Sequence, residues 1–167
     1  PKNFLKEAML KGESIETGIK LYTNEDYQLF NDKEFDLIFE AIFDTFDRLQ
    51  PGSNDYYVLK KIIPNNSKVI FLGDYHSSIH ALIDTLIDLK NKGYFDNYWV
   101  LRKDCYLVVT GDMVDRGPYG IEIVYLLFLL FLNNNKEEYK FFIINGNHEE
   151  ESIYSNYGLS LEIENQF

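Results

Sequence analysis

The sequence predicts an α/β fold in which a parallel sheet in βαβαβ order follows an N-terminal helical extension. Three short runs rich in Val, Ile, Leu and Phe have the length of buried strands. The two segments between them show helical spacing, and strands that alternate with helices form right-handed βαβ units around a parallel sheet. A hydrophobic fraction of 46% over 167 residues is sufficient for one domain with a real core.

The predicted elements follow one another at short intervals. The strands are "KVIFLG", "CYLVVTG" and "KFFIING". The first helix lies in "SSIHALIDTLIDLKNKG", with Ser77 or Ser78 as the N-cap and Gly93 at its end. The second helix lies in "GPYGIEIVYLLFLLFLNNN", with Pro118 near its first turn. Because that helix is apolar nearly all round, we expect it to be covered on two sides.

Residues 1–64 are predicted to be a helical extension of the domain at residues 65–167. Within the extension, Pro51-Gly52 is expected to stop a helix whose broad apolar face packs on the following domain. This face consists of residues at helical spacing, namely Phe35, Ile38, Phe39, Ile42, Phe43, Phe46 and Leu49. A structural collar is the interpretation favoured for this segment.

Charge and composition limit the classes of partner. A formal net charge of −11 argues against binding nucleic acid or an anionic membrane through bulk electrostatics. The apolar run Ile121–Leu132 is shorter than the roughly 20 residues that span a bilayer, so no membrane-spanning segment is predicted. Cys105 is the only cysteine, which excludes an intrachain disulfide and fits a reducing, cytoplasmic setting. Oligomeric state is not indicated.

Three polar loops follow the three predicted strands. They are "GDYH" at Gly73–His76, "GDMVDRG" at Gly111–Gly117 and "GNHE" at Gly146–Glu149. The carboxyl ends of parallel strands share one edge of the sheet, where open α/β sheets bind their ligands. We therefore expect a group of polar side chains to converge there, namely Asp74, His76, Asp112, Asp115, Arg116, Asn147 and His148.

These residue types suit a metal site. Carboxylate, imidazole and amide oxygen are ligands for divalent ions such as Mn²⁺, Fe²⁺ or Zn²⁺. Two such ions about 3.5–4 Å apart would clamp a phosphate and generate a hydroxide near neutral pH. A carboxylate shared between two ions is the usual bridge, and Asp112, in the middle loop, is the candidate for that position.

The three loops resemble the first three signatures of the PPP family of calcineurin-like metallophosphoesterases, the serine/threonine protein phosphatases. "GDMVDRG" and "GNHE" match the family pattern in full. The resemblance covers residues 68 to about 150 and implies half of an α/β β-sandwich, that is, the N-terminal part of a catalytic domain within residues 65–167. It also implies a site with two divalent metal ions, with Mn²⁺ favoured over Fe²⁺ and Zn²⁺.

The resemblance implies a role for each matching residue. Asp74 and His76 would bind the first metal, Asp112 would bridge both metals, and Asn147 would bind the second metal and face the substrate phosphate. Three further residues would act on the substrate. His148 would protonate the leaving alkoxide, Asp115 would orient His148, and Arg116 would grip the phosphate oxygens.

The chain departs from the family pattern in two ways. The family usually has Gly-Gln after the first histidine, where Ser77-Ser78 stand here. After His148 the chain has no histidine or arginine, although the family takes two further histidines for its second metal. We therefore expect a truncated catalytic domain, and this fragment alone could be inactive.

Several functions stay open from the sequence. Hydrolysis of phosphoserine or phosphothreonine in proteins is the default, and phosphotyrosine is an alternative. A dinucleoside polyphosphate hydrolase and a non-catalytic, degenerate phosphatase module that binds a partner are the rival interpretations. The extension is also similar to those of Wip-type bacterial effector phosphatases, which would place the protein in a host-cell cytoplasm.

An acidic run and a histidine near the motifs are expected to be structural. The three acids at residues 149–151 are expected to begin a helix rather than bind a metal, because acids at a helix N-terminus favour its dipole. His80 is expected in the first turn of the helix after His76, facing away from the site. Tyr75 could either line the pocket or point into the core.

Overall fold

The computed structural model describes residues 32–49 and 60–166, which form a three-stranded sheet and five α-helices. The elements run in the order α1 (Asp32–Leu49), β1 (Lys68–Leu72), α2 (Ile79–Asn91), β2 (Cys105–Val109), α3 (Gly120–Asn134), β3 (Phe141–Ile143), α4 (Glu151–Tyr157) and α5 (Leu159–Gln166). A 3₁₀ turn at Asn147–Glu149 precedes α4. The predicted α/β class and the βαβαβ order are confirmed.

The sheet has the strand order β1-β2-β3, and both pairings are parallel. Lys68 is opposite Cys105 at one end, and Leu72 is opposite Val109 at the other. The central strand β2 is buried along almost its whole length, as expected for a strand with a neighbour on each side. Consequently the three loops that follow the strands leave from the same edge, with the β2 loop in the middle.

Helix α2 packs into the hydrophobic core through one face and contacts α3. Its buried residues recur at intervals of three and four, which places them on a single stripe. They are Ile79, Leu82, Ile83, Leu86 and Leu89. Burying each of these side chains contributes about 1.5–3 kcal/mol before the entropy of ordering the chain is subtracted. This packing fixes the start of α2, and with it the loop that follows β1.

Helix α3 is the most deeply buried of the described helices and contacts α1, α2, β3 and α5. Ring contacts join α1 to α3. Phe39 packs edge-on against Phe128 at 5.6 Å, and Phe46 lies 5.4 Å from the Phe131 ring centre. The prediction that this helix is covered on more than one side is confirmed, since an apolar helix surface needs such cover.

Helix termini differ in detail from the sequence prediction. Ser78 holds the N-cap position of α2, but its side chain makes no capping hydrogen bond. Gly93 follows α2 with a φ of 78°, the left-handed geometry expected of a helix end. Helix α3 begins at Gly120, two residues after Pro118. The start of α3 is set by a distant carboxylate described below rather than by the proline.

Part of the predicted extension lies outside the described residues. Pro51-Gly52, the predicted helix stop, falls there, whereas α1 ends at Leu49. Arg48, in the last turn of α1, donates hydrogen bonds to the backbone carbonyls of Asn135 and Lys136 at the end of α3. This contact and the aromatic packing hold α1 against α3. The packed face is narrower than expected, because Ile38 and Ile42 are buried whereas Phe39 and Phe43 are exposed.

Candidate active site

The three loops predicted to converge meet at Asp112. Its backbone carbonyl accepts the N–H groups of Tyr75 and His76, both at 3.0 Å, which ties the β1 loop to the β2 loop. Its side-chain Oδ1 accepts the N–H of His148 at 3.0 Å, which ties the β2 loop to the β3 loop. Asp112, in the loop that follows the central strand, therefore joins all three loops.

The backbone of these loops is unusual. Five residues of the predicted site have a positive φ, namely Asp74 (49°), His76 (42°), Asp112 (52°), Asp115 (69°) and Arg116 (64°). A left-handed conformation in a residue other than glycine costs about 1–3 kcal/mol and persists only where neighbours hold it. The inter-loop hydrogen bonds supply that constraint. Such strain concentrated at one place is typical of a functional site.

Glycines let the loops approach each other closely. Gly111 has a φ of 93°, and a Cβ there would overlap the backbone nitrogen of Gly146. A Cβ at Gly146 would in turn overlap the Asp112 side chain. The glycine that precedes Asp112 and the glycine that precedes Asn147 are thus required by contact between the second and third loops.

Asp74, His76 and Asp112 form a cluster of potential metal ligands. One donor atom from each residue lies within 4.8 Å of the donor atoms of the other two. The His76 Nδ1 atom lies 3.3 Å from the carbonyl oxygen of Val114. A carbonyl can only accept, so Nδ1 carries the proton and Nε2 keeps a lone pair for a metal. The donor set fits a divalent cation.

Asn147 lies at the start of the 3₁₀ turn and is exposed. It stands next to His148, whose backbone N–H reaches Asp112. The structure therefore brings the loop carrying Asn147 to the ligand cluster, as the sequence predicts. The ring of His148 also lies near the cluster, because its centre is 4.7 Å from that of His76.

His148 and Asp115 form a buried pair. The His148 Nδ1 atom lies 2.9 Å from Asp115 Oδ2, and the two side chains are 5% and 0% exposed. The second carboxylate oxygen, Oδ1, accepts the backbone N–H of Leu159 at 2.9 Å. Since both oxygens have a partner, Asp115 is held in one orientation and fixes the plane of the His148 ring.

Arg116 caps the other side of the His148 ring. Its Nη2 atom lies 3.0 Å from His148 Nε2. A guanidinium only donates, so Nε2 accepts and Nδ1 carries the ring proton toward Asp115. Arg116 is otherwise exposed, with its backbone N–H bound to the carbonyl of Tyr157.

Glu149 has a role that the sequence interpretation missed. The acidic run at residues 149–151 begins a helix as expected, with Glu150 as the N-cap of α4 and Glu151 as its first residue, but Glu149 itself lies in the preceding 3₁₀ turn. Its carboxylate instead accepts three backbone N–H groups, from Asp112 (2.8 Å), Met113 (2.8 Å) and Gly146 (2.7 Å). The bond to Gly146 is the local half of a capping box, and the spacing of three residues was its sequence signal. The bonds to the β2 loop had no such signal.

The remaining residues near the motifs face away from the cluster. Tyr75 points into the core, and burial raises the pKa of its hydroxyl. His80 is exposed on α2, with its ring 6.0 Å from that of Tyr119. Ser77 is buried against the Gly117–Gly120 segment, and its Oγ has no hydrogen-bond partner among the described residues. Ser78 is exposed.

The chain is similar in sequence to known phosphatases. Residues 67–166 match the model of a family described as "Calcineurin-like phosphoesterase". The serine/threonine-protein phosphatase PP2A-like PPG1 of Candida albicans is 33% identical over 106 residues, which are 64% of this chain and 22% of that protein. The Shewanella-like protein phosphatase 1 of Plasmodium berghei is 36% identical over 113 residues, 66% of this chain and 31% of that protein.

A solved structure has the same fold. It is a protein serine/threonine phosphatase from Saccharomyces cerevisiae with similarity to human phosphatase PP5. The TM-score is 0.57 and the sequence identity is 20%, with 83% of this chain and 39% of that chain covered. The matched part of the chain spans less than a third of the length of each of the two sequence relatives named above. Within the described ranges, no helix combines the length and apolarity needed to cross a membrane.

Proposed function

Because the chain belongs to the calcineurin-like phosphoesterase family, we propose that it is the N-terminal part of a metal-dependent phosphatase acting on phosphoproteins. The observation that carries this proposal is the cluster of Asp74, His76 and Asp112, with donor atoms within 4.8 Å of one another at the junction of three loops. Both sequence relatives named above are protein phosphatases, and the Candida albicans protein is a serine/threonine-protein phosphatase, which favours phosphoserine and phosphothreonine as substrates.

The ligand set proposed for divalent ions is Asp74, His76, Asp112 and Asn147. Carboxylate, imidazole and amide groups can bind Mn²⁺, Fe²⁺ and Zn²⁺. Mn²⁺ is favoured among them because it accepts the most oxygen-rich set of ligands. When bound, such ions supply a hydroxide near neutral pH and offset the charge of a phosphate. Asp112 lies after the central strand, which supports its assignment as the shared ligand.

The proposed proton donor is His148. Asp115 accepts a hydrogen bond from Nδ1–H and stabilises a positive charge on the ring, so that Nε2 can take up a proton and deliver it to a leaving oxygen. Burial of the pair excludes water and strengthens this interaction. The carboxylate acts as the orienting group, because its second oxygen is already occupied by Leu159.

Arg116 is proposed to bind the phosphate. Its planar fork suits two phosphate oxygens, and its exposure allows it to turn toward a substrate. In the described arrangement it donates to His148 Nε2, which must carry a proton for acid catalysis. Arrival of a phosphate would draw the guanidinium away and free that nitrogen. Substrate binding and activation of the acid would then be coupled through one side chain.

The test of this proposal is Mn²⁺ binding by isothermal titration calorimetry, followed by turnover of an aryl phosphate. Asp112→Asn should abolish measurable Mn²⁺ binding, whereas the matched variant Asp84→Asn, on the exposed face of α2, should bind like the parent chain. Absence of Mn²⁺ binding by the parent chain would refute the metal site. Metal binding without turnover, in this chain and in a longer form, would support the non-catalytic binding module instead.

A further inference from the structure

The carboxylate of Glu162, on α5, caps the N-terminus of α3. Its Oε1 accepts the N–H of Ile121 at 2.9 Å, and its Oε2 accepts the N–H of Gly120 at 3.1 Å. Helix α3 has Tyr119 at its N-cap position, which makes no side-chain capping bond. The capping function is therefore supplied by a residue more than 40 positions away, at separations of 41 and 42. A carboxylate there also interacts favourably with the helix dipole.

Glu162 is almost fully buried, with 9% of its surface exposed. A buried carboxylate is retained only when its oxygens are bound, and here both oxygens are. A Cβ at Gly120 would lie 2.9 Å from Glu162 Oε2, so the carboxylate sits directly against the backbone of α3. The contact between α5 and the start of α3 is thus specific in position and in chemistry.

The same C-terminal segment is bound to the candidate acid. Leu159, one turn before Glu162 on α5, donates its N–H to Asp115 Oδ1 at 2.9 Å. The carbonyl of Tyr157 accepts the N–H of Arg116 at 3.1 Å, and the Tyr157 ring centre lies 5.5 Å from that of His148. The C-terminal segment therefore contacts both the catalytic candidates in the β2 loop and the start of α3.

We propose that Glu162 is a positioning residue for the His148–Asp115 pair. By fastening α5 to the start of α3, it holds the Leu159 N–H against Asp115 Oδ1 and so orients Oδ2 toward His148 Nδ1. This inference rests on the proposed function, in which that pair moves the proton. Glu162 acts only through Leu159 and Asp115.

A purely structural role for Glu162 makes a different prediction. If the carboxylate only packs α5 against α3, its loss lowers stability but leaves the His148 ring in the same environment. If it positions the pair, its loss changes the ring signals of His148 even where the chain remains folded. The chain has three histidines, so these signals can be resolved and assigned by single substitutions.

The experiment compares Glu162→Gln with Glu164→Gln. Glu164 lies on the same helix and is exposed, so its variant carries the same change in charge without the buried contacts. Nitrogen-15 NMR at one fixed pH, without added metal, records the Nδ1–H signal of His148 and its exchange with solvent. We expect exchange of this proton to be about tenfold faster in Glu162→Gln, the effect of losing one hydrogen bond to a charged group. Glu164→Gln should match the parent chain.

An unchanged His148 signal in folded Glu162→Gln would overturn the proposal. If that variant does not fold, amide exchange in the parent chain is the test of the proposal. If Glu162 fastens α5 to the start of α3, the amides of Gly120, Ile121 and Leu159 should open together. A Leu159 amide that exchanges more than about tenfold faster than that of Ile121 would also overturn it, since a gap of that size means separate opening. Neither readout needs metal or turnover, so failure of the proposed function is recognised separately by calorimetry.

Discussion

The carboxylate of Glu149 accepts the backbone N–H of Asp112 at 2.8 Å across a separation of 37 residues. The same side chain also binds Met113 and Gly146. The third loop thereby holds the backbone of the second loop at the residue proposed to be shared between two metal ions. A residue next to the candidate acid thus shapes the ligand cluster without belonging to it.

Replacing Glu149 with Gln should weaken metal binding and the fold together. The amide keeps one acceptor oxygen but cannot accept at its nitrogen, so at least one buried N–H loses its partner. We expect the free energy of unfolding to fall by about 1–3 kcal/mol. Mn²⁺ affinity should fall about tenfold, as for other residues that orient metal ligands. Urea denaturation and calorimetry measure the two effects.

Glu150→Gln is the matched control for this variant. Glu150 is exposed and adjacent, so the change in net charge is the same. Its unfolding free energy should stay within about 0.5 kcal/mol of the parent chain. Equal Mn²⁺ affinity in the two variants would show that the carboxylate of Glu149 does not orient Asp112.

The Gly111→Ala substitution should be strongly destabilising. The residue has a φ of 93°, and the added methyl group would overlap the backbone of Gly146. We expect a loss of about 3 kcal/mol, combining backbone strain with steric overlap. Gly93→Ala is the comparison, because Gly93 has a φ of 78° but an added Cβ there would make only ordinary van der Waals contact, with the Arg102 side chain at 3.6 Å. It should cost only about 1 kcal/mol, the strain alone. Equal losses in urea denaturation would contradict the close approach of the loops.

Arg48→Met tests how α1 is held. The guanidinium donates to the carbonyls of Asn135 and Lys136 after α3, and the methionine retains the apolar part of the side chain. Thermal unfolding should show a loss of about 1–2 kcal/mol, because carbonyl groups lose charged donors. Lys33→Met, exposed at the other end of α1, should change stability by less than about 0.5 kcal/mol. If α1 does not pack on the domain, the two variants should have the same stability.

Glu138 should make a small contribution to stability that depends on pH. A hydrogen bond from Lys61, at 3.0 Å, holds the pKa of the Glu138 carboxyl below its ordinary value of 4.5, against the opposing effect of partial burial. A lowered pKa stabilises the folded chain above pH 4.5, and this stabilisation is lost as the pH falls through the folded-state value. Because the pair is exposed, the contribution at neutral pH is about 0.5 kcal/mol.

The variant Glu138→Gln should therefore be less stable than the parent chain at neutral pH and equally stable in acid. Glu137→Gln is the control, since Glu137 is exposed and lies next to it. Chemical denaturation over a series of pH values measures both. A difference that persists unchanged in acid would show that ionisation of Glu138 is not its source.

The order of elements and the place of the site followed from local sequence patterns. Apolar runs of strand length and a helical stripe on α2 predicted βαβαβ, and the three loops predicted one shared edge. These features depend on interactions between residues close in sequence, or on the topology of parallel sheets. The reason for glycine before Asp112 and before Asn147, by contrast, is the close approach of the second and third loops, which only the structure shows.

Contacts between distant segments could not be predicted in this way. Glu149 has the local spacing of a capping residue, but its bonds to Asp112 and Met113 depend on how the second and third loops meet. Glu162 is one of many acids on the chain, and only the packing of α5 places its carboxylate at the start of α3.

The sequence by itself determined the fold class, the family resemblance and the residues that reach one edge of the sheet. Tertiary structure alone decided which atoms contact each other there: His148 Nδ1 with Asp115 Oδ2, Arg116 Nη2 with His148 Nε2, and the Leu159 N–H with Asp115 Oδ1. The physical reason is that periodicity and motif spacing report local geometry. Hydrogen bonds between loops depend instead on distances and angles that arise only when strands and helices pack together.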